Sequence, residues 1–600
     1  MGQAVSCRRS VLRRQLFVDH AAGWLSRGAG FVSLGTLAAI FVFLVVLSLP
    51  LFTQGQWTDI LSVTWRPHEG QFGILAMIAG SMALSVSAFV LAYPLGIGVC
   101  LFVCGPWARG LRRVVLAVVT FMTAIPTVVY GFVSVFLLVP LLAKGLGSRG
   151  PSLLAASLTL ALLVLPTIVL FALEALREAE TRTRLTSASL GLSPVQSLLL
   201  VVLPNCAPAL RTAAVMGYCR ALSDTLIPLM LAGNAPQFPD SLFDSVRTLT
   251  AHIALVVATD DSSPAFHSLF ACGLILFGVS LAAQMVIRVG GKAGKPLGNR
   301  SLTALSFLAA RPLGRACVAA WSLVSSAVVL TAIVALVVFL ISRSLPVLDA
   351  RLFFGDASVM GAMLGREPVW DGLFAACAGT LALVVLTTCM AVPIGIGGGI
   401  ALSQYARGSW AQALRFSANA LAGVPSIVMG LFGFSLIIFL RHTIAPQANT
   451  CLLLSAVCLA LLVLPYTINA TVQALDNLPE ALRLLGPSLG MTTWQSLRHI
   501  LLPAASKGLL GGVVLSMGRT AEDTAVILLT GVVASGGLPR GLTEKFEALP
   551  FAIYYLAAQH QTRAELDKGF GAALTLLVLT VLLFGCARLA RAGMEKTWVR

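Results

Sequence analysis

Apolar residues run through this chain in long blocks with few polar interruptions. A block of about 18 or more apolar residues is long enough to cross a bilayer as a helix. The first half carries six such blocks, at 31–53, 74–104, 114–142, 152–173, 207–233 and 265–288. Residues 174–206 are too polar to span, and 234–264 form a polar loop. Gly290-Gly291-Lys292-Ala293-Gly294-Lys295-Pro296 then reads as a linker. The second half repeats the pattern, with blocks at 316–342, 371–403, 414–440, 450–472, 507–533 and 569–588 and polar segments at 473–506 and 534–568.

The halves align at a fixed offset of 299 residues. Gly80 falls on Gly379 and Pro94 on Pro393. Ile125-Pro126-Thr127 falls on Val424-Pro425-Ser426, Pro166 on Pro465, and Gly191 on Gly490. Each copy has an even number of spans, so both copies lie the same way round, with a pseudo-twofold axis expected along the membrane normal. The expected fold is all-α: a polytopic membrane protein of about twelve spans in two six-helix units. The expected divisions are an N-terminal segment 1–30, a first unit 31–289, a linker 290–315, a second unit 316–590 and a tail 591–600.

Composition agrees. Apolar residues make up 58% of the 600 and charged residues 11%, against about 25% charged in soluble domains. The net charge of +17 follows from topology rather than from nucleic-acid binding. With both termini in the cytoplasm, 26 of the 41 Lys and Arg fall in cytoplasmic segments and 12 in external loops, the bias that membrane insertion imposes. The arginines before residue 31 precede an apolar run too long for a cleaved signal peptide, so a retained first helix is expected. The twelve cysteines show no CxxC and no pairing with histidine, and read as small apolar fillers.

The candidate chemistry lies in two charged stretches inside apolar blocks. They are Arg220-Ala221-Leu222-Ser223-Asp224-Thr225 and Arg519-Thr520-Ala521-Glu522-Asp523-Thr524. Ionisable groups at membrane depth are costly and mark function by default. With a helix starting near residue 207 or 507, each arginine lies about 20 Å along it, near or beyond the midplane. Arg220 and Asp224 stand at i, i+4, as do Arg519 and Asp523, so each set is expected to share a helix face. The guanidinium fork matches the oxygens of a tetrahedral oxyanion, and the nearby carboxylate is expected to hold the fork while the path is empty. A structural ion pair locking the halves is the alternative. The second stretch carries an extra carboxylate, Glu522, so the first half is expected to be the more cationic wall.

Two polar segments form the other paired motif: Gly191-x9-Val201-x-Leu203-Pro204 and Gly490-x9-Ile500-x-Leu502-Pro503. The pattern reads as a short helix, a break at glycine, a second amphipathic helix, and a proline opening the next span. Such a hairpin suits docking of a soluble partner, or a plain interfacial helix. These segments resemble the cytoplasmic coupling loop of ABC importer permeases, Glu-Ala-Ala-x3-Gly-x9-Ile-x-Leu-Pro, from the glycine to the proline. The Glu-Ala-Ala part falls instead on Leu185-Thr186-Ser187 and Leu484-Leu485-Gly486. The charged stretches are similar to the Arg-Ala-x-Gly-Glu-Thr signature of phosphate importer permeases, with Asp224 and Asp523 in place of its Glu, and Ser223 and Glu522 in place of its Gly. Leu231-Ala232-Gly233-Asn234 with 241–250, and Leu549 to Tyr554, resemble loops of the two phosphate permease subunits. The chain thus looks like both subunits fused.

The resemblance implies a type I importer permease of the bacterial cytoplasmic (inner) membrane. Two ABC ATPase subunits would dock at the coupling segments, an external phosphate-binding protein would deliver substrate, and phosphate would pass beside Arg220, Asp224, Thr225, Arg519, Glu522, Asp523 and Thr524. The external loops, with Asp240, Asp244, Asp260 and Asp261, are expected to be solvated and in part to receive the binding protein. Membrane lipid is a further expected partner, and nucleic acid is not expected. No G-x-x-x-x-G-K-[ST] loop, metal-ligand spacing or nucleophile–base pattern occurs, so neither a cofactor nor catalysis is expected. The glycines Gly395, Gly397, Gly398 and Gly399 read as helix-packing positions. A permease for sulfate, molybdate or tungstate, or a secondary transporter with parallel repeats, remains open; an intramembrane enzyme is the remotest class.

Overall fold

The computed structural model describes residues 2–53, 62–106, 109–148, 150–257, 264–292, 311–363, 372–539 and 541–598. Asp260, Asp261 and most of the linker lie outside them. Among the described residues the fold is all-α apart from one two-stranded ribbon at Trp65–Arg66 and Gln71–Phe72. Among the described residues eleven helices are long and apolar enough to cross a membrane, or twelve when the bent pair Pro194–Asn205 and Ala207–Ser223 is taken as one span.

Two of the expected spans are broken in each half. The third span divides into Arg109–Met122 and Thr127–Leu146, and its counterpart into Gly408–Ala422 and Ser426–Thr443. The cause is Pro126 (φ −59°, ψ 145°) and Pro425 (φ −59°, ψ 139°), each extended and opening the next helix. Proline has no N–H and pushes the residue before it out of helical space. Backbone groups freed within a bilayer need partners. Tyr130 donates its hydroxyl to the Met122 carbonyl (3.2 Å), and Thr580 donates to the Ala124 carbonyl (3.2 Å).

The fifth span is also two helices, Ala207–Ser223 then Leu226–Leu231, and in the second half Leu502–Glu522 then Ala525–Thr530. This corrects the shared helix face expected of Arg220 with Asp224 and of Arg519 with Asp523: each helix stops one residue before its aspartate. Asp224 (ψ 139°) and Asp523 (ψ 119°) are extended. The halves differ at the entry to this span. The first bends by 71° between Pro194–Asn205 and Ala207–Ser223, whereas the second runs unbroken from Thr493 to Glu522.

The first span of each unit packs on the other unit. Helix Gly2–Thr53 lies against Phe374–Ile400 and Gly408–Ala422, with Phe31 against Trp410 (ring centroids 4.3 Å) and the Ser33 and Ser417 hydroxyls 3.3 Å apart. Helix Pro312–Ser344 lies against Leu75–Cys104, where Gly98 leaves room for Ser325. The glycine run is a packing surface: Gly395 and Gly399 meet Thr467 and Thr471, and Gly397 meets Ala29.

Candidate functional site

Four helix breaks, two from each half, meet in the centre of the bundle. They bring Arg220, Asp224, Thr225, Arg519, Glu522, Asp523 and Thr524 around one cavity, together with Thr127, Ser223, Leu226, Ser426 and Ala525. The two charged stretches, 299 positions apart in sequence, are thus one site. The cavity encloses about 20 Å³, room for about one water molecule. A tetrahedral oxyanion is larger than water, so the cavity must widen to hold one.

The polar groups divide into two sets. The aspartates are committed to backbone. Asp224 Oδ2 accepts the Ile227 N–H (3.0 Å), and Asp523 Oδ1 accepts the Val526 N–H (3.1 Å). Each caps the helix that follows, as an aspartate before an apolar helix start commonly does. Thr250 donates its hydroxyl to the Asp224 carbonyl (3.0 Å), tying the outer helix Leu249–Val256 to the break. Among the described residues neither arginine forms an ion pair within 4.0 Å. The aspartates therefore cap helices in this state rather than holding the guanidinium forks. Asp523→Ala is expected to cost about 1 kcal/mol through the lost cap, with Asp523→Asn recovering most of it; thermal melts of the purified chain measure both.

The second set is uncommitted. Thr225 Oγ1, Thr524 Oγ1 and Arg519 Nε are buried with no hydrogen-bond partner. Thr225 and Thr524 are 2% and 1% exposed. Unpaired buried donors are expensive unless something else satisfies them. Thr127 and Ser426 open the helices Thr127–Leu146 and Ser426–Thr443, whose first N–H groups lack intrahelical partners and carry the positive end of the helix dipole. Discontinuous membrane helices commonly aim such ends at anions. The sequence reading missed Thr127 and Ser426 as site residues. The Pro-Thr and Pro-Ser steps marking them were visible as repeat positions, but hydropathy carried the span across the break.

The hairpins around Gly191 and Gly490 share their local geometry. Gly191 (φ +70°) and Gly490 (φ +68°) turn each hairpin in the left-handed region, where a side chain is disfavoured. Capping boxes, Ser193 with Gln196 and Thr492 with Gln495, start the second arm. Val201 and Ile500 lie in wide turns at Leu198–Val202 and Leu497–Leu501. Leu203 and Pro204 stand in the short helix Leu203–Asn205 before the bend, whereas Leu502 and Pro503 open the long helix directly. The second hairpin is pinned by the first helix: Asp19 Oδ1 accepts the Trp494 N–H at 2.6 Å. Beside the first hairpin lies a cavity of about 560 Å³ lined by Arg112, Glu180, Arg184 and Ser187. In the second half Gly486 stands at the place of Ser187 and leaves no room beside Ser496.

In the loop after Leu226–Leu231, Asp244 is a half-buried structural acceptor: its Oδ2 takes the N–H groups of Asp240 (3.0 Å) and Ser241 (2.7 Å).

A helical membrane chain with two like-oriented units and a polar site between their broken helices is a transport permease in class. The chain belongs to the family described as binding-protein-dependent transport system inner membrane component, which it matches twice, over residues 92–293 and 391–595. The second match begins 299 positions after the first, the offset of the internal repeat. The probable ABC transporter permease protein YqgH of Bacillus subtilis (strain 168) is 31% identical over 48% of this chain and 95% of its own length. The phosphate transport system permease protein PstC of Mesorhizobium japonicum is 26% identical over 48% of this chain and 96% of its own length. The phosphate transport system permease protein PstA of Yersinia pestis is 33% identical over 35% of this chain and 69% of its own length. Relatives of both names each cover about half of this chain or less, as a fusion requires. Among solved structures, a chain of the MetNI methionine ABC transporter aligns over 41% of this chain and 100% of its own, at 20% identity and a TM-score of 0.30; at that score it adds nothing to the fold.

Proposed function

We propose that this chain is the transmembrane permease of an ATP-driven inorganic phosphate importer. It supplies both halves of the anion path and is a transport subunit, with ATP hydrolysis on separate subunits. The observation that carries the reading is the single cavity in which each half places one arginine and one unpaired threonine hydroxyl. The donor set suits an oxyanion: two guanidinium groups, free hydroxyls, and the open N–H ends of two helices. The names of the relatives, phosphate transport system permease proteins, support phosphate within that class.

Both termini lie in the cytoplasm in this reading, which puts the hairpins around Gly191 and Gly490 on the cytoplasmic face. Two ABC ATPase subunits dock there, one on each hairpin, and a phosphate-binding protein docks outside. The units 31–289 and 316–590 are joined by a cytoplasmic linker at 290–315. ATP binding rocks the halves apart at the cavity, and anion passes between Arg220 and Arg519. The first span of each unit lies on its neighbour, so the halves cannot separate without moving these spans.

The test is purification of the tagged chain from its native membrane with its bound subunits, then reconstitution into vesicles. The expected result is a co-purifying ATPase and uptake of labelled phosphate that needs both ATP and the external binding protein. Uptake driven by an ion gradient in the absence of ATPase subunits would overturn the reading.

A further inference from the structure

Glu522 has no place in the account so far. It is the last residue of helix Leu502–Glu522, lies on the central cavity and is 8% exposed. Its first-half counterpart is Ser223, which spends its hydroxyl on the Arg220 carbonyl (3.2 Å). Asp224 and Asp523 each commit an oxygen to a helix cap. Among the described residues the Glu522 carboxylate accepts no hydrogen bond and forms no ion pair within 4.0 Å. A buried carboxylate facing an anion path opposes any anion that passes, unless that anion brings a proton to share.

We propose that Glu522 makes this path selective for oxyanions that carry a hydroxyl, by accepting a hydrogen bond from the P–OH group of phosphate and repelling fully ionised tetrahedral anions. The proposal rests on the phosphate reading and deepens it. At neutral pH both forms of inorganic phosphate keep at least one P–OH. Arsenate likewise keeps an As–OH, whereas sulfate offers acceptor oxygens alone. Arg220, Arg519, Thr225 and Thr524 supply donors that serve all of these anions equally. An ionised carboxylate is an acceptor only, so it makes a charge-assisted hydrogen bond with hydrogen phosphate and an unrelieved repulsion with sulfate. Specificity by a repulsive element of this kind needs one residue, not a remade site. Size cannot substitute for it, since sulfate is close to phosphate in size and arsenate is larger.

The external receptor filters anions in cells, so the test uses the full-length chain alone, in lipid nanodiscs, titrated calorimetrically with inorganic phosphate, arsenate and sulfate. Wild-type protein is expected to bind phosphate and arsenate at least about tenfold more tightly than sulfate, a gap of about 1.4 kcal/mol. In Glu522→Gln, whose amide both donates and accepts, the gap is expected to shrink to about threefold or less, mainly through gained sulfate binding. Glu522→Asp keeps the carboxylate, is expected to keep a preference for phosphate, and separates loss of charge from loss of folding. A phosphate preference that survives intact in Glu522→Gln overturns the role of Glu522 and leaves the phosphate reading standing. Wild-type protein that binds sulfate as tightly as phosphate, or binds no anion, overturns the role of Glu522, while the uptake assay above decides the phosphate reading.

Discussion

Arg220→Ala is expected to lower labelled phosphate uptake, at limiting phosphate and normal membrane levels of the chain, by at least about tenfold. The cavity holds Arg220 and Arg519 against Asp224, Glu522 and Asp523. Without Arg220 a single guanidinium faces three carboxylates, and an entering anion meets a negative wall. Losing one of the two positive charges that line the cavity is expected to raise the barrier to an anion by at least about 1.4 kcal/mol, a factor of ten. Arg519→Ala is expected to fall to a similar level. The sequence suggested a more cationic first half, because Glu522 belongs to the second stretch. In the fold both stretches line one cavity, so the Glu522 charge acts on both arginines. Arg220→Lys keeps the charge but loses the planar fork, and is expected to fall between wild type and alanine. Full uptake in both alanine variants, with the protein present at wild-type levels, would remove the arginines from the path.

Hydropathy and the constant offset made the architecture legible. Span number, like-oriented halves and the pairing of the charged stretches all follow from where apolar blocks begin and from repeat positions such as Pro126 with Pro425. The breaks were less legible because a hydropathy window cannot see a two-residue interruption. Asp224 and Asp523 were read as charges on a helix, yet an aspartate followed by an apolar run is also the signature of a new helix start; the hydrogen bonds to Ile227 and Val526 show which applies here. Exchange of the first spans left no trace in the sequence. A lipid-facing helix looks the same whichever unit it packs on, and only contacts such as Phe31 with Trp410 reveal the partner. Thr127 and Ser426 were missed for a related reason: their importance comes from standing at a helix end, and that end was hidden inside an apolar block.

Gly379→Ala is expected to destabilise the chain by about 3 kcal/mol, with Gly80→Ala a milder case of the same defect. The two glycines are repeat partners that do the same work. Each lets the backbone returning from an outer loop cross its helix, and an added Cβ at Gly379 would collide with the carbonyl of Glu547, as one at Gly80 would with that of Arg247. The obstacle is backbone on both sides, so no side-chain rotation relieves it. The residue after each glycine completes the joint. Ser81 Oγ accepts the Leu249 N–H at 2.8 Å, and Thr380 Oγ1 accepts the Leu549 N–H at 2.9 Å. Displacing the crossing strand therefore also breaks the hydrogen bond that seats helix Leu249–Val256 or Leu549–Gln559. In the first half the loss reaches further, because the Thr250 hydroxyl on that outer helix holds the Asp224 carbonyl at the cavity. Gly80→Ala is thus expected to impair transport per molecule of folded protein as well as stability, whereas Gly379→Ala acts mainly through the amount of folded protein. Melting midpoints in detergent, read beside uptake normalised to membrane-inserted chain, separate the two. A Gly379→Ala chain that melts with the wild type would mean the outer loop is free to move off its helix without cost.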